Sequence, residues 1–219
     1  MVDTLIQNLA MHVGSAVTTR VADSWTWYVI RSAGFVAAGL LILLMLSGIG
    51  QVTGLTYKFL EPIKAWMLHK ALALALCGAI FIHVLFLLID HYIPFSLVDV
   101  LIPFASRYSN HTTLFGIAIS GIALALGILA MYSVIVVVSS SLGWIDTKRG
   151  LWRKLHYLNY FTLVAVFIHA LGVGSDLRYG LFRTCWIFVG VVLMLAVVYR
   201  LWFAGTLHGH KKNRQPDNS

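Results

Sequence analysis

Four histidines lie inside the apolar stretches of this chain, in two pairs with nearly equal spacing. His69 and His83 are fourteen residues apart in one stretch, and His156 and His169 are thirteen apart in another. A polar ring inside a bilayer is costly, so such residues are candidates for function. At about 1.5 Å per residue, the members of each pair lie about 20 Å apart along a helix. His69 then matches His156 in depth and His83 matches His169, which predicts two haems, each held between two helices.

The two steps place the histidines differently around their helices. At about 100° per residue, a step of fourteen returns His83 to nearly the face that carries His69. A step of thirteen leaves His156 and His169 offset by roughly 140° on an ideal helix, so we expect an irregular first turn or different angles of approach to their ligands. An alternative interpretation is that the rings are core histidines bonded to backbone carbonyls. A zinc site is disfavoured, because no Cys, Asp or Glu completes a tetrahedral set.

Composition places these histidines in a membrane. Of the 219 residues, 59% are hydrophobic and 11% are charged, whereas a soluble domain carries about 25% charged residues. A membrane-spanning helix needs about 20 mostly apolar residues. Five stretches meet that length, roughly Trp27–Gly50, Trp66–Ile89, Leu114–Leu142, Leu155–Val173 and Phe182–Phe203. We therefore predict an all-α membrane protein in which about five transmembrane helices form a haem-binding bundle.

The pattern divides the chain into three parts. Residues 1–24 carry apolar side chains at every fourth position, which predicts an N-terminal amphipathic helix lying on the membrane surface. Residues 25–204 form the transmembrane haem-binding domain, and residues 205–219 form a cytoplasmic polar tail. Between the second and third spans, the apolar run Phe95–Phe104 predicts a short helix across the outer mouth of the bundle.

Charge predicts the orientation of the bundle. One set of loops and ends carries eleven Lys and Arg residues and the other set carries five. By the positive-inside rule, the N-terminus lies outside and the C-terminus lies in the cytoplasm. The net charge of +8 then reflects topology and contact with anionic lipid, and no charged tract indicates nucleic-acid binding. Cys77 and Cys185 both fall in apolar stretches, which favours small buried residues over a disulfide.

Cationic side chains near the two membrane surfaces are candidates for binding haem carboxylates. Arginine binds carboxylates in a two-pronged geometry, so Arg31 and Arg107 are assigned to the outer haem and Arg153 to the inner one. Asp90 and Asp176 end the second and fourth spans on the outer side. They are interpreted as solvated helix ends, with proton relay as the alternative.

The segment Trp152–His156 opens the fourth span and, together with the two histidine spacings, resembles the ferric-reductase-like transmembrane domain family. That family includes NADPH oxidases, ferric reductases and the haem-binding membrane subunit of the bacterial methionine sulfoxide reductase system. The resemblance covers roughly Trp27–Phe203. Because Leu151–Tyr160 looks most like the bacterial members, the resemblance implies a bacterial cytoplasmic membrane.

The resemblance implies a pair of b-type haems that pass single electrons across the membrane. By position, His69 and His156 would hold the inner haem, and His83 and His169 the outer one. The chain departs from the family in two ways, since the family usually has six spans and no flavin or nicotinamide domain follows the spans here. The electron donor is therefore expected to be a separate protein or a quinol.

We thus predict a membrane cytochrome b with two haem b groups, acting as a transmembrane electron-transfer oxidoreductase component. Its expected partners are the lipid bilayer, the donor and a redox partner on the outer side. No side chain forms a nucleophile or an acid–base pair, so no catalytic residue is predicted. Two alternatives stay open, a cytochrome b-type subunit of a quinol-oxidising complex and a non-catalytic haem-binding subunit of a larger redox or photosynthetic complex.

Overall fold

The computed structural model of the chain describes the backbone of residues 2–91, 93–108, 113–114 and 117–212, and the side chains of residues 6–7, 25–91, 93–108 and 119–202. Within these ranges the helices are α1 (Val2–Thr53), α2 (Pro62–Ile89), α3 (Leu97–Leu101), α4 (Ser120–Gly143), α5 (Arg149–His156), α6 (Leu158–Val173) and α7 (Leu181–Lys212). Short 3₁₀ turns cover Thr56–Lys58 and Ser175–Leu177. Strands β1 (Thr113–Leu114) and β2 (Ile117–Ala118) pair antiparallel before α4.

Five helical segments of the described chain are long and apolar enough to cross a membrane. They are Trp25–Thr53, Pro62–Ile89, Ser120–Gly143, Arg149–Val173 and Leu181–Trp202. Large apolar side chains on their outer surfaces, such as Phe81 and Phe188, are 65% and 67% exposed, which suits contact with lipid. The prediction of an all-α membrane protein with five spanning helices is confirmed.

Two predicted boundaries differ from the structure. The third span begins at Ser120 rather than at Leu114, because Thr113–Leu114 and Ile117–Ala118 form the short strand pair, and the Thr, Ile and Gly residues of this stretch of sequence disfavour a helix. The fifth span belongs to α7, whose helical backbone continues to Lys212 and so includes the first part of the predicted tail.

The N-terminal segment and the first span form one continuous helix, α1. No glycine or proline lies between Ser15 and Ser32, so the sequence supplies no residue that would interrupt the helix where the amphipathic segment was predicted to end. The placement of residues 1–24 on the membrane surface stays a prediction.

The helices pack as two main pairs, α1 against α2 and α4 against α6, with α7 contacting α1 and α6. We call the end at which α2 begins and α4 ends the basic end, and the opposite end the α3 end. The exposed cations described at the basic end are Lys58, Lys64, Lys70, Lys148, Arg149, Arg153 and Lys154.

A layer of apolar side chains from all five spans fills the middle of the bundle. Leu76 lies midway between His69 and His83 along α2, and Leu163 lies between His156 and His169 along the fourth span. Both are nearly fully buried, with 3% and 2% exposure. The layer separates the two histidine levels, and its other members are Leu41, Leu44, Met45, Val134, Leu193 and Val197.

The loop between α2 and α4 forms the short helix that its apolar run predicts. Ser96 and Asp99 cap α3 at its N-terminus, each side chain bonding the other residue's backbone N–H. The Ser96 hydroxyl and the Ser96 backbone N–H both donate to the Asp99 carboxylate, and these two hydrogen bonds lower the pKa of that carboxyl. At the other end of α3, the Tyr132 hydroxyl donates to the Leu101 carbonyl at 2.6 Å. Since Tyr132 lies near the middle of α4, α3 packs against the side of α4.

Candidate functional site

The basic-end pair, His69 and His156, meets in one cavity. His69 lies in α2 and His156 is the last residue of α5, and their ring centroids are 6.4 Å apart with the planes inclined by 42°. They line a cavity of about 560 Å³ to which all five spans contribute. Sites for small molecules and cofactors commonly enclose about 300–1,000 Å³. The cavity is therefore large enough to hold a cofactor between the two rings.

The separation of these two rings suits a metal ion placed between them. An imidazole nitrogen lies about 2.0–2.1 Å from a bound ion, and the ring centre lies roughly 1.1 Å behind that nitrogen. Two imidazoles on opposite sides of one ion would have their centres roughly 6.3 Å apart. The observed 6.4 Å between His69 and His156 agrees with that arrangement.

One hydrogen bond determines which nitrogen of His69 remains for a ligand. The Ser47 hydroxyl lies 2.7 Å from Nδ1 of His69 and 2.8 Å from the Leu44 carbonyl. A carbonyl only accepts, so the hydroxyl donates to Leu44 and accepts from Nδ1–H of His69. The lone pair of the neutral ring then resides on Nε2. Histidines that bind metals commonly have their other nitrogen fixed in this way.

The rings of the α3-end pair, His83 and His169, are also fixed through Nδ1. Nδ1 of His83 lies 2.9 Å from the Ile30 carbonyl of α1, and Nδ1 of His169 lies 2.9 Å from the Ala123 carbonyl of α4. Both nitrogens must donate to these carbonyls, which leaves the lone pair of each ring on Nε2. The two imidazoles are close enough to interact electrostatically. These contacts include the carbonyl bonds of the core-histidine interpretation, and they also leave a ligating nitrogen on each ring.

Gly127 on α4 makes room for the ring of His169. It stands four residues after Ala123, and a Cβ at this position would lie 2.3 Å from Nδ1 of His169. In a helix, the side chain at position i+4 covers the carbonyl of residue i, because Cα–Cβ bonds tilt toward the N-terminus. Only glycine therefore leaves the Ala123 carbonyl open to a ring on α6.

Two glycines on α1 also lie against histidine rings, and their spacing equals that of the two histidines. Gly34 and Gly48 are fourteen residues apart, like His83 and His69 on the facing helix. A Cβ on either glycine would lie 3.3 Å from Cε1 of the corresponding ring. The sequence analysis missed these glycines, although their fourteen-residue spacing is visible in the sequence.

His156 is positioned by a break in the fourth span. The helix is interrupted at Tyr157, whose backbone N–H bonds Lys154, so α5 and α6 are separate helices. This irregular turn, which the thirteen-residue step predicted, brings His156 to face His69. The Trp152 ring lies 5.2 Å from the His156 ring and its Nε1–H donates to Ser141 at 3.0 Å.

Nδ1 of His156 is buried and has no hydrogen-bond partner among the described residues. The ring of His156 therefore differs from the other three rings, whose Nδ1 atoms each have a protein partner. The cavity and the 6.4 Å ring separation fit a cofactor at the basic end.

No group of three or more His, Cys, Asp or Glu side chains converges on a point within the described part of the chain. A metal site built from protein ligands alone needs about four of them. Haem supplies the other ligands of its iron itself, so it would need only the two protein ligands that each histidine pair would provide. The residues present therefore fit haem better than a free metal ion.

The predicted carboxylate-binding arginines differ in their surroundings. Arg31 forms a two-pronged ion pair with Asp176, with Nε–H donating to Oδ2 at 2.8 Å, and its guanidinium lies 3.9 Å from the Trp27 ring centroid. It therefore has a carboxylate partner within the chain, and its assignment to the outer haem stays a prediction. Arg107 is exposed, and Arg153 is exposed at the edge of the basic-end cavity.

Of the two acidic residues at the α3 end, Asp90 is buried, and Asp176 is partly exposed and ion-paired. Asp90 is 5% exposed and accepts hydrogen bonds from the Thr26 hydroxyl at 2.6 Å and from the Ile93 backbone at 3.1 Å. Asp176 is held by Arg31. Both carboxylates tie loops at the α3 end to α1, so their role in the described structure is to connect elements of the bundle.

Comparisons with family models, with curated proteins and with solved structures find no match to this chain.

Proposed function

We propose that this chain is a transmembrane cytochrome b that carries electrons through the bilayer by means of two haems. His69 and His156 would hold one haem, and His83 and His169 the other. The observation that carries the proposal is the pair of facing rings at the basic end, His69 and His156, at a separation suited to one ion between them. The fixed Nδ1 atoms of His69, His83 and His169 add support, because each leaves Nε2 for a ligand.

When bound, haem would supply reversible one-electron chemistry at its iron. The chain's own contribution is to hold and orient the imidazoles. Ser47 and the carbonyls of Ile30 and Ala123 fix three of the rings, and fixed rings lose little freedom when they bind a ligand. The spans bury the four rings in part, and none of the rings is fully exposed.

The apolar layer at Leu76 and Leu163 supports transfer of electrons rather than of ions. It contains no water-binding side chain among its buried members, so a charged species would meet a high desolvation barrier there. Electrons can tunnel through such a layer, whereas protons and metal ions need polar groups.

We place the basic end in the cytoplasm of a bacterial cell, because lysine and arginine are concentrated on that face. The electron donor would then be a cytoplasmic protein or a quinol of the membrane. The acceptor would be a redox partner on the outer side, near the α3 end.

A haem count on purified chains tests the proposal. The pyridine haemochrome assay, with a reduced-minus-oxidised spectrum, would be applied to the wild type and to His83→Ala and His156→Ala. We expect two b-type haems per wild-type chain and about one in each variant, because each substitution removes one axial ligand. His91→Ala is the matched control, because His91 is exposed and belongs to neither pair.

Two results would contradict the proposal. A folded wild type without haem would overturn it entirely. Retention of both haems in His83→Ala and His156→Ala, with bis-histidine spectra, would show that other residues hold them. Loss of haem from His91→Ala as well would point to general instability, and thermal unfolding of the same samples would identify that case.

A further inference from the structure

A partly buried arginine, Arg200, lines the basic-end cavity. Arg200 on α7 lines the cavity together with His69 and His156 and is only partly exposed. Its guanidinium carbon lies 5.6 Å from the ring centroids of both Tyr157 and Tyr160. Those two rings stack on each other with centroids 6.0 Å apart. Cation–π contact with the two rings holds the guanidinium beside the cavity.

Arg200 has no carboxylate partner in the described part of the chain. The ion pairs found there are Arg31 with Asp176 and Lys64 with Glu61. The Tyr160 side chain is within hydrogen-bond reach of this guanidinium. A partly buried guanidinium presents five N–H donors in a plane, and leaving its charge without an anion is unfavourable. The cavity therefore offers a two-pronged donor to whatever occupies it.

The charged side chains that line the cavity carry a net positive charge. Its cationic lining residues are Lys70, Arg153 and Arg200, and its one acidic lining residue is Asp146. Lys70, Arg153 and Asp146 are exposed to solvent, where water screens them, whereas Arg200 is the partly buried member. Arg200 also acts electrostatically on His156, so it lies close to the histidine pair. An occupant with negative charge near His156 would balance this field.

We propose that Arg200 binds a carboxylate of the cofactor held by His69 and His156, and that its charge favours the reduced form of that cofactor. This inference rests on the proposed function. Arg200 is thus a further cofactor-binding residue, which by sequence was only one of the eleven Lys and Arg residues on one set of loops and ends. A positive charge near the iron opposes the more positive, oxidised state, so removal of Arg200 lowers the reduction potential of this haem.

The test compares haemin with haemin dimethyl ester, in which both carboxylates are blocked. Both are titrated into the detergent-purified full chain carrying His83→Ala, so that only the basic-end pair binds. We expect Arg200→Gln to weaken haemin binding roughly tenfold to a hundredfold, the range for a hydrogen bond to a charged group. The same substitution should leave the ester's affinity unchanged. Arg200→Lys should recover part of the loss, because it keeps the charge but not the planar fork.

Arg149→Gln is the matched control. It removes one positive charge at the same end of the bundle, from an exposed residue that does not line the cavity. A second measurement uses the chain with all four histidines. In a redox titration, Arg200→Gln should lower one of the two midpoint potentials and leave the other unchanged, and Arg149→Gln should change neither.

The outcomes separate the two proposals. If the wild-type site binds haemin and its ester equally and Arg200→Gln changes neither affinity, the role of Arg200 is overturned while haem binding stands. If both midpoint potentials move together in Arg200→Gln, the effect is a global one and the assignment is again overturned. If the chain with all four histidines binds neither compound, the proposed function itself fails.

Discussion

Ser47 on α1 and His69 on α2 are joined by a hydrogen bond of 2.7 Å that favours one tautomer of the histidine. The hydroxyl can accept from Nδ1–H because it gives its own proton to the Leu44 carbonyl at 2.8 Å. A serine one turn from a helix carbonyl thus directs the Nε2 lone pair of a ring on the neighbouring helix. This contact therefore orients the His69 ring, which lines the cavity at the basic end.

Ser47→Ala is expected to weaken cofactor binding at the basic-end pair by about tenfold to a hundredfold, as is typical when the partner of a metal-binding histidine is removed. Without the hydroxyl, His69 can rotate or take the other tautomer. Haemin titration of the purified chain measures the effect. Ser32→Ala serves as the control, because the Ser32 hydroxyl bonds only to carbonyls of its own helix. Equal affinities of Ser47→Ala and wild type would contradict the role assigned to this contact.

Gly127→Ala is expected to disrupt the α3-end pair selectively. Its Cβ would lie 2.3 Å from Nδ1 of His169, so the ring must leave the Ala123 carbonyl or the helices must separate. We expect loss of one haem per chain in a haemochrome assay, with the other retained. Gly121→Ala on the same helix meets no atom within 4 Å and should retain both haems. Two haems in Gly127→Ala would show that the His169–Ala123 bond is dispensable.

Arg31 and Asp176 are expected to act as a structural pair rather than as cofactor ligands. Their side chains are 29% and 26% exposed, so solvent screening limits the pair to about 0.5–1 kcal/mol. Arg31→Gln and Asp176→Asn should each lower the free energy of unfolding by about that amount. The double variant should cost no more than either single variant, because the two changes remove one interaction. Thermal unfolding in detergent measures this cycle, and a loss of haemin affinity in Arg31→Gln alone would favour a cofactor role instead.

Tyr132→Phe is expected to loosen α3 without affecting either histidine pair. The substitution removes the hydroxyl that donates to the Leu101 carbonyl at 2.6 Å, a loss of about 0.5–1.5 kcal/mol. Hydrogen exchange over residues 97–104 should accelerate, while haem content stays at the wild-type level. Tyr179→Phe is the comparison, because the Tyr179 side chain is 86% exposed. Unchanged exchange in Tyr132→Phe would mean that other contacts hold α3 against α4.

Some departures from the sequence predictions have simple physical causes. The third span begins at Ser120 because Thr113 and Leu114 pair as a short strand with Ala118 and Ile117, although this part of the sequence is apolar. Asp90 was interpreted as solvated because acidic residues at helix ends usually are. Its burial depends on Thr26, which is 64 residues away in the chain and unrelated to it by any local pattern.

The class of fold and the levels of the histidines follow from the sequence alone. Five long apolar stretches require helices, because a lipid bilayer offers the backbone no other hydrogen-bond partners. The spacing of the four histidines along two of these helices then sets their depths. The thirteen-residue step predicted either an irregular first turn or different angles of approach, and the break at Tyr157 agrees with the first of these.

The contacts of each polar side chain depend on how the helices pack, which the sequence pattern does not show. Packing of α1 against α2 places Gly34 and Gly48 opposite His83 and His69, and packing of α7 brings Arg200 to the cavity. Helix packing also brings Arg31 into an ion pair with Asp176. Which helices become neighbours, and how they are rotated, depends on the shapes of many side chains at once, whereas depth depends only on position along one helix.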